Sequence, residues 1–549
     1  MLNHSIIQKI IPILKKDVRR VLRMKVRGFP RPYFASFVLR DTNWFNTWAS
    51  SGSTFRRRSD RSRHVYCDVR VGSYRYDQVY DGGLIEGEED RESEHYGNVP
   101  IDDRCYDGLR MALWRLSEAK FREALSDYSH KESSRISKID PNSRLYSYAK
   151  SEPIVSISYQ RPEFVDEEKW ERFCKVASLW MSEFPHISTS WVDFDATQET
   201  KILVNTEGSV IVQHQQIFTL SATFRKLTRS GSHLERDVVV NCATQSELPN
   251  LKQFKKMALQ KYQQLMRTSR AKIIHSFSGP VLLCPGPAGL LFHEAIGHRL
   301  EGSRLLASGE GQTFKGQVGK AVIDVPLTIR DNPRLKKFNG IRCIGSYQYD
   351  DEGTPARDAL LVENGILRDF LSTRASMPNC KFQPNGHARN KKLQRPISRM
   401  AVTIIEGKNT VSMEELKEIL IEEIREQDKP FGMIVYETCG GETETARYDF
   451  QAFAGDIAFA TLVYPDGREV CVRGVNFVGT PLQALNNIIA VGNRQEIENH
   501  FCGAESGMIP VTTIAPAILL KNLELQAKDE ELVTPYILPR PQLHLPRRI

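Results

Sequence analysis

The stretch Leu290-Leu291-Phe292-His293-Glu294-Ala295-Ile296-Gly297-His298-Arg299-Leu300-Glu301-Gly302 organises this chain. It carries two imidazoles, with a carboxylate directly after the first. That is the set a metallopeptidase needs: His nitrogens to hold Zn²⁺ and a Glu to take a proton from water at the metal. The spacing, H-E-x-x-x-H, is one residue longer than the familiar motif. At ~100° per residue, an i,i+5 pair in a regular α-helix points roughly 140° apart, too far for two ligands of one ion. Either a π-turn absorbs the extra residue or the helix ends at Gly297 and leaves His298 beyond it. The competing reading is a surface helix that happens to carry two histidines.

Outward from the motif, the second half begins with a short apolar strand, Val281-Leu282-Leu283-Cys284, and the turn Pro285-Gly286-Pro287, so the motif helix starts near Ala288. Most of the chain beyond the motif has the period of strands. Asn364-Gly365 and Pro465-Asp466-Gly467 mark two hairpins. A helix over about 412–426 is announced by Ser412 and Glu415 as a capping box, and another is expected over about 480–491. The glycines at 309–319 make no phosphate loop, because no G-K-[ST] closes them. The tail 533–549 is rich in proline and is expected to be extended.

The first half alternates differently. Apolar residues at helical spacing predict helices over 6–27, interrupted near Pro12, and over 103–128, 166–184 and 249–268. Tyr33 to Leu39 and Tyr66 to Val71 read as strands. Lys201–Asn205 and Ser209–Val212, joined by Thr206-Glu207-Gly208, read as a hairpin, with Ile217–Phe224 and Asp237–Asn241 in the same antiparallel sheet. The segment 81–104 is acidic and loop-like, and 129–150 is a polar connector. The fold class is therefore α+β. A domain of helices and an antiparallel sheet covers 1–270, and a β-rich domain carrying the motif helix covers 271–532.

At 549 residues, the chain exceeds what one core usually absorbs. A 40% hydrophobic and 26% charged composition fits a globular chain rather than a disordered one. No apolar run is long enough for a membrane helix, and no signal peptide is read at the N-terminus. The ten cysteines occur singly, which fits reduced thiols in the cytoplasm. The net charge of +8 is uneven: residues 1–63 hold fifteen Lys or Arg against Asp17, Asp41 and Asp60, a net +12, so the remainder sums to −4. This basic arm, with Arg56-Arg57-Arg58 and Arg61 to Arg63, reads as a solvated helix face and loop. No aromatic-interleaved basic motif accompanies it, so nucleic acid is not the expected partner.

Gly286 through His298, followed by Leu300-Glu301-Gly302, resembles the TldD/PmbA metallopeptidases. The resemblance continues through Asp350-Asp351-Glu352-Gly353-Thr354-Pro355, Val362 to Leu367, Asn385-Gly386-His387-Ala388-Arg389, Arg399-Met400 and Val511 through Leu525. Over 1–269 it rests on the order of elements and on Val69-Arg70-Val71, and the long basic N-terminus departs from it. The intact H-E-x-x-x-H resembles the metal-bearing, TldD-like branch rather than the PmbA-like (TldE) partners. The resemblance implies a third ligand, Cys502, in Phe501-Cys502-Gly503. The residues alone leave Cys284 and Cys439 equally open. It also implies one Zn²⁺ per chain on His293, His298 and Cys502, and Glu294 as the base that deprotonates zinc-bound water. Implied substrates are small or unfolded peptides, and the implied assembly is a homodimer or a heterodimer with a TldE-like partner. A non-catalytic interaction protein and a zinc hydrolase of a non-peptide amide are the alternatives. Glu301 is expected either to orient His298 or to cap the next turn. His387 with Arg389 is expected in a structural turn, and His500 in an exposed position.

Overall fold

The structure is a computed structural model and describes residues 2–79, 96–137, 147–307, 310–375, 383–443, 453–479, 481–528, 532–534 and 536. Most of the acidic segment, the centre of the polar connector and nearly all of the Pro-rich tail lie outside the described residues. The α+β expectation holds. Helices and one antiparallel-dominated sheet make up the first half, and a large mixed sheet carrying the motif helix makes up the second.

Helix α1 (His4–Val21) opens the chain, capped by the Asn3 side chain. It runs unbroken through Pro12, against expectation. Its stripe Ile7, Ile10, Leu14, Val18 and Val21 is buried in the first core. Burial of that face outweighs the one hydrogen bond that proline removes. Strands β1 (Pro32–Ser50) and β2 (Ser53–Val71) form a hairpin far longer than the two short runs expected. They meet at Ser51-Gly52, both with positive φ, as a tight hairpin turn requires.

The arginine run therefore lies on a strand, not on a loop or a solvated helix. Its charge is taken up by partners distant in sequence. Arg61 and Arg63 both reach Asp41 and Asp103. Arg57 pairs with Glu167 and Glu171. The guanidiniums of Arg56 and Arg58 lie over the rings of Trp48 and Trp44. Arginine and serine are weak strand formers, and cross-strand pairing overrode that preference here.

The sheet continues through β3 (Val155–Ile157), β4 (Thr189–Asn205), β5 (Val210–Leu227) and β6 (His233–Cys242), in the order β2-β1-β4-β5 with β3 and β6 both beside β5. Helix α2 (Asp107–Ser137) packs with α1 on one end. Helices α3 (Glu167–Met181) and α4 (Leu251–Ser269) bury Trp170, Cys174, Phe254 and Leu265 against Phe194, Phe218 and Phe224.

The second sheet has thirteen strands among the described residues. Its spine is Val402–Gly407, Ile509–Ala527, Ser276–Leu283, Gly432–Thr443 and Phe453–Val463, side by side. Both predicted hairpins form, pairing Glu363 with Ile366 and Val463 with Glu469. The Ser412–Glu415 capping box forms on the helix Met413–Glu426. The helix expected over 480–491 stops at Asn486, and the strand Ile488–Cys502 succeeds it. The β-branched run that starts this strand pairs with Ile509–Ala527, and the strand ends at the predicted third ligand.

Candidate metal centre

The motif helix, Pro285–Phe292, starts on a proline at its first turn, where no N–H is needed. Leu291, Phe292, Ala295 and Ile296 bury it in the largest core. A π-turn extends it over His293–Gly297, and the His298 amide donates to the His293 carbonyl, five residues back. The extra residue is absorbed as the spacing demanded. A Cβ at Gly297 would fall 2.2 Å from Met400 Sδ, so a side chain fits here only if the turn or the methionine shifts.

The π-turn brings the two rings to a centroid separation of 5.0 Å at right angles. Cys502 arrives from the end of its strand. Its Sγ lies 3.1 Å from His293 Nε2 and 3.4 Å from His298 Nε2. All three side chains are buried, and their ligand atoms lie within 4.8 Å of one another. A tetrahedral site with Zn–S ≈ 2.3 Å and Zn–N ≈ 2.0–2.1 Å separates neighbouring donors by about 3.3–3.6 Å, so the donor set fits a zinc ion. Cys284 sits at the N-terminus of the motif helix and is not on the walls of the cleft. Cys439 does line it.

Charges arrange themselves around this trio. Burial alone would push the Cys502 thiol up, but the two imidazoles beside it hold it well below the ordinary thiol range. Burial would lower His298, yet Glu301 and Cys502 raise it to about 10. Burial likewise opposes ionisation of Glu301, but His298 and Arg304 pull it down to about 2. Glu301 Oε2 is 3.2 Å from His298 Nδ1 and 3.0 Å from Arg304 Nε. Its side chain makes no capping bond to the following turn, so its contact is with the imidazole. Glu294 is buried at 6% exposure, with Oε2 3.8 Å from His298 Nε2. Desolvation raises its carboxyl above the usual range.

The trio opens into a cleft of about 700 Å³. One wall is Thr438–Thr443, another the end of the ligand strand, and β6 contributes Val239 and Asn241. Gly311, Gly316 and Gly319 are not among its walls. His387 and Arg389 are elsewhere. His387 is fully buried between Asn385 and Asp331, and Arg389 donates to the carbonyls of Met400 and Pro510, a structural knot as expected. His500 corrects the expectation of exposure: its ring is half-buried, 5.2 Å from that of His293, and burial with that neighbour pushes it down to about 4. A signal was available, since His500 and Cys502, two apart on a strand, share one face. Arg304, Arg399, Glu310 and Glu505, which lie around the trio, gave no such signal.

Residues 276–527 match the family model described as the PmbA/TldA metallopeptidase C-terminal domain. A protein named metalloprotease from Methanothermobacter thermautotrophicus is 31% identical over 240 residues, 43% of this chain and 48% of that protein. One from Saccharolobus solfataricus, named a zinc metalloprotease TldD homolog, is 26% identical over 48% of this chain and 56% of its own length. The chain thus spans about half the length of the curated relatives it matches. The crystal structure of TldE from Thermococcus kodakarensis superposes with a TM-score of 0.61 at 13% identity, covering 95% of this chain and all of that one, and so shares the fold. The second half therefore matches a domain described for metallopeptidases. Over that half, the chain is similar to proteins of the TldD/PmbA family.

Proposed function

We propose that this chain is a zinc-dependent peptidase whose metal is held by His293, His298 and Cys502, one ion per chain. The observation that carries the reading is the π-turn, which aims both imidazoles at one thiol and leaves Glu294 beside them. A zinc ion held by these three residues would supply Lewis acidity and lower the pKa of water toward ~7. Glu294 accepts a proton from the attacking water and delivers it to the departing amine nitrogen. Its raised carboxyl suits a group that must both take and give a proton near neutrality. Glu301 holds the His298 ring by its far nitrogen, the usual partner of a ligating imidazole.

Substrates on this reading are extended peptides. The strand Gly432–Thr443 pairs with Ser276–Leu283 only over Met433–Val435. Beyond that, residues 437–443 pair with no strand on this side among the described residues, and 438–443 line the cleft. A peptide laid there would be read through its main chain, with little sequence preference. The chain divides near residue 270 on this reading, and the first domain closes the cleft with β6. Dimeric assembly, with a second copy or a TldE-like partner, is part of the proposal and is supported by the shared fold. Among the described residues, no helix is long and apolar enough to cross a membrane. Cytoplasmic residence is supported by nine described cysteines that are all free.

Glu294→Gln tests the reading. It should keep the zinc and lose peptide hydrolysis by ~10²–10⁴, the usual worth of a general base. Near-normal turnover in the zinc-loaded variant would remove Glu294 from the reaction.

A further inference from the structure

Cys502 is the last residue of its strand, and the chain then turns through 503–508 into Ile509–Ala527. A ligand at a strand end needs support from outside its own element. Arg399 supplies it. This guanidinium is fully buried. Its Nη2 donates to the Cys502 carbonyl at 2.8 Å and to Cys502 Sγ at 3.2 Å. Its Nη1 donates to Ser506 Oγ at 2.9 Å and to the Gly507 carbonyl at 3.0 Å. One planar group thus grips both ends of the turn. Its Nε faces Glu301 Oε1 at 3.5 Å, and the other oxygen of Glu301 is the one against His298. Arg399 therefore touches one of the three clustered side chains directly and a second through a single carboxylate.

We infer that Arg399 is a positioning residue for the metal centre, fixing Cys502 Sγ by an N–H···S bond and the His298 ring through Glu301. The inference rests on reading the trio as a metal site. A purely structural arginine gives its donors to carbonyls, as Arg389 does with Met400 and Pro510. Arg399 gives one to sulfur. That bond withdraws electron density from a thiolate ligand while fixing its direction. Lysine keeps the charge but cannot reproduce the fork.

The test uses the full chain loaded with Co²⁺ in place of zinc. It reads the sulfur-to-cobalt charge-transfer absorption and the rate of cobalt loss to a chelator. Arg399→Lys should shift that absorption and speed cobalt loss roughly tenfold to a hundredfold, the range seen when a partner of a metal ligand is removed. Ser506→Ala, which spares the N–H···S bond, should speed loss only a few fold and leave the absorption unmoved. Arg389→Lys, a control at another buried arginine, should lower only the melting temperature. Wild-type absorption and loss rate in folded Arg399→Lys would overturn the inference, as would an equal shift in Arg389→Lys. Should Arg399→Lys fail to fold, Glu301→Gln and Ser506→Ala carry the test, and unchanged cobalt loss in both overturns it. A different result marks failure of the metal reading itself: wild type that takes up no cobalt, or uptake indifferent to Cys502→Ala.

Discussion

At the scale of the residue, the question is which sulfur completes the site. Three cysteines are near enough in sequence or setting to compete, and geometry separates them. Cys502 Sγ stands within 3.4 Å of both imidazole Nε2 atoms. Cys284 is a half-buried residue at a helix start, and its thiol is pushed up to about 12 by burial, which disfavours the thiolate a metal needs. Cys439 is on the cleft wall but exposed. Cys502→Ala should therefore lose zinc under mild chelation by orders of magnitude more readily than wild type, while Cys284→Ala and Cys439→Ala should retain it. Zinc content after dialysis against a chelator decides the matter, and retention by Cys502→Ala would assign the third ligand elsewhere. The two histidines and Glu294 were legible because they fall within six consecutive residues. Cys502 came only through family resemblance, since about two hundred residues separate it from His293 and nothing local marks it. Arg399 and Arg304 were illegible as site residues for the same reason: their partners are brought to them by the fold.

At the scale of the element, the π-turn is the feature that the sequence disclosed most fully. Five-residue spacing and one shared ion leave few conformations for the backbone, and the turn His293–Gly297 is one of them. The two hairpins and the Ser412 capping box were legible because their chemistry is contained in two to four residues. The long hairpin β1–β2 was not, because the acids that neutralise its arginines come from Asp41, Asp103, Glu167 and Glu171. The π-turn also carries a testable constraint. Gly297→Ala places a methyl 2.2 Å from Met400 Sδ, so either the turn or the methionine must move. Overpacking of this kind costs about 1–3 kcal/mol. The variant should melt lower and hold zinc less tightly, and Met400→Ala added to it should restore part of both. If Gly297→Ala alone matches wild type in melting and zinc retention, the close approach does not constrain the turn.

At the scale of the whole molecule, the cleft is bounded by two sheets at once. The second sheet supplies Cys502 and the half-paired strand, the motif helix on it supplies the two histidines, and β6 of the first sheet supplies Val239 and Asn241. The contact is tied by Asn241 and Asn499, each of which donates its side-chain amide to the other's carbonyl. Asn499 lies three residues before Cys502, so this contact ties the β6 wall to the strand that carries the candidate ligand. A folded substrate cannot present a free extended strand to a cleft of this kind, because its own strands are already paired and its surface is convex. An unfolded chain can, and main-chain pairing to residues 437–443 would accept most sequences. One substrate protein digested in its native and its unfolded form should therefore be cut in the unfolded form only. Glu294→Gln serves as the control for contaminating proteases. Cleavage of the compact form at the unfolded rate, above that control, would mean that the cleft does not select extended chains and that the open edge of Gly432–Thr443 is not where substrate binds.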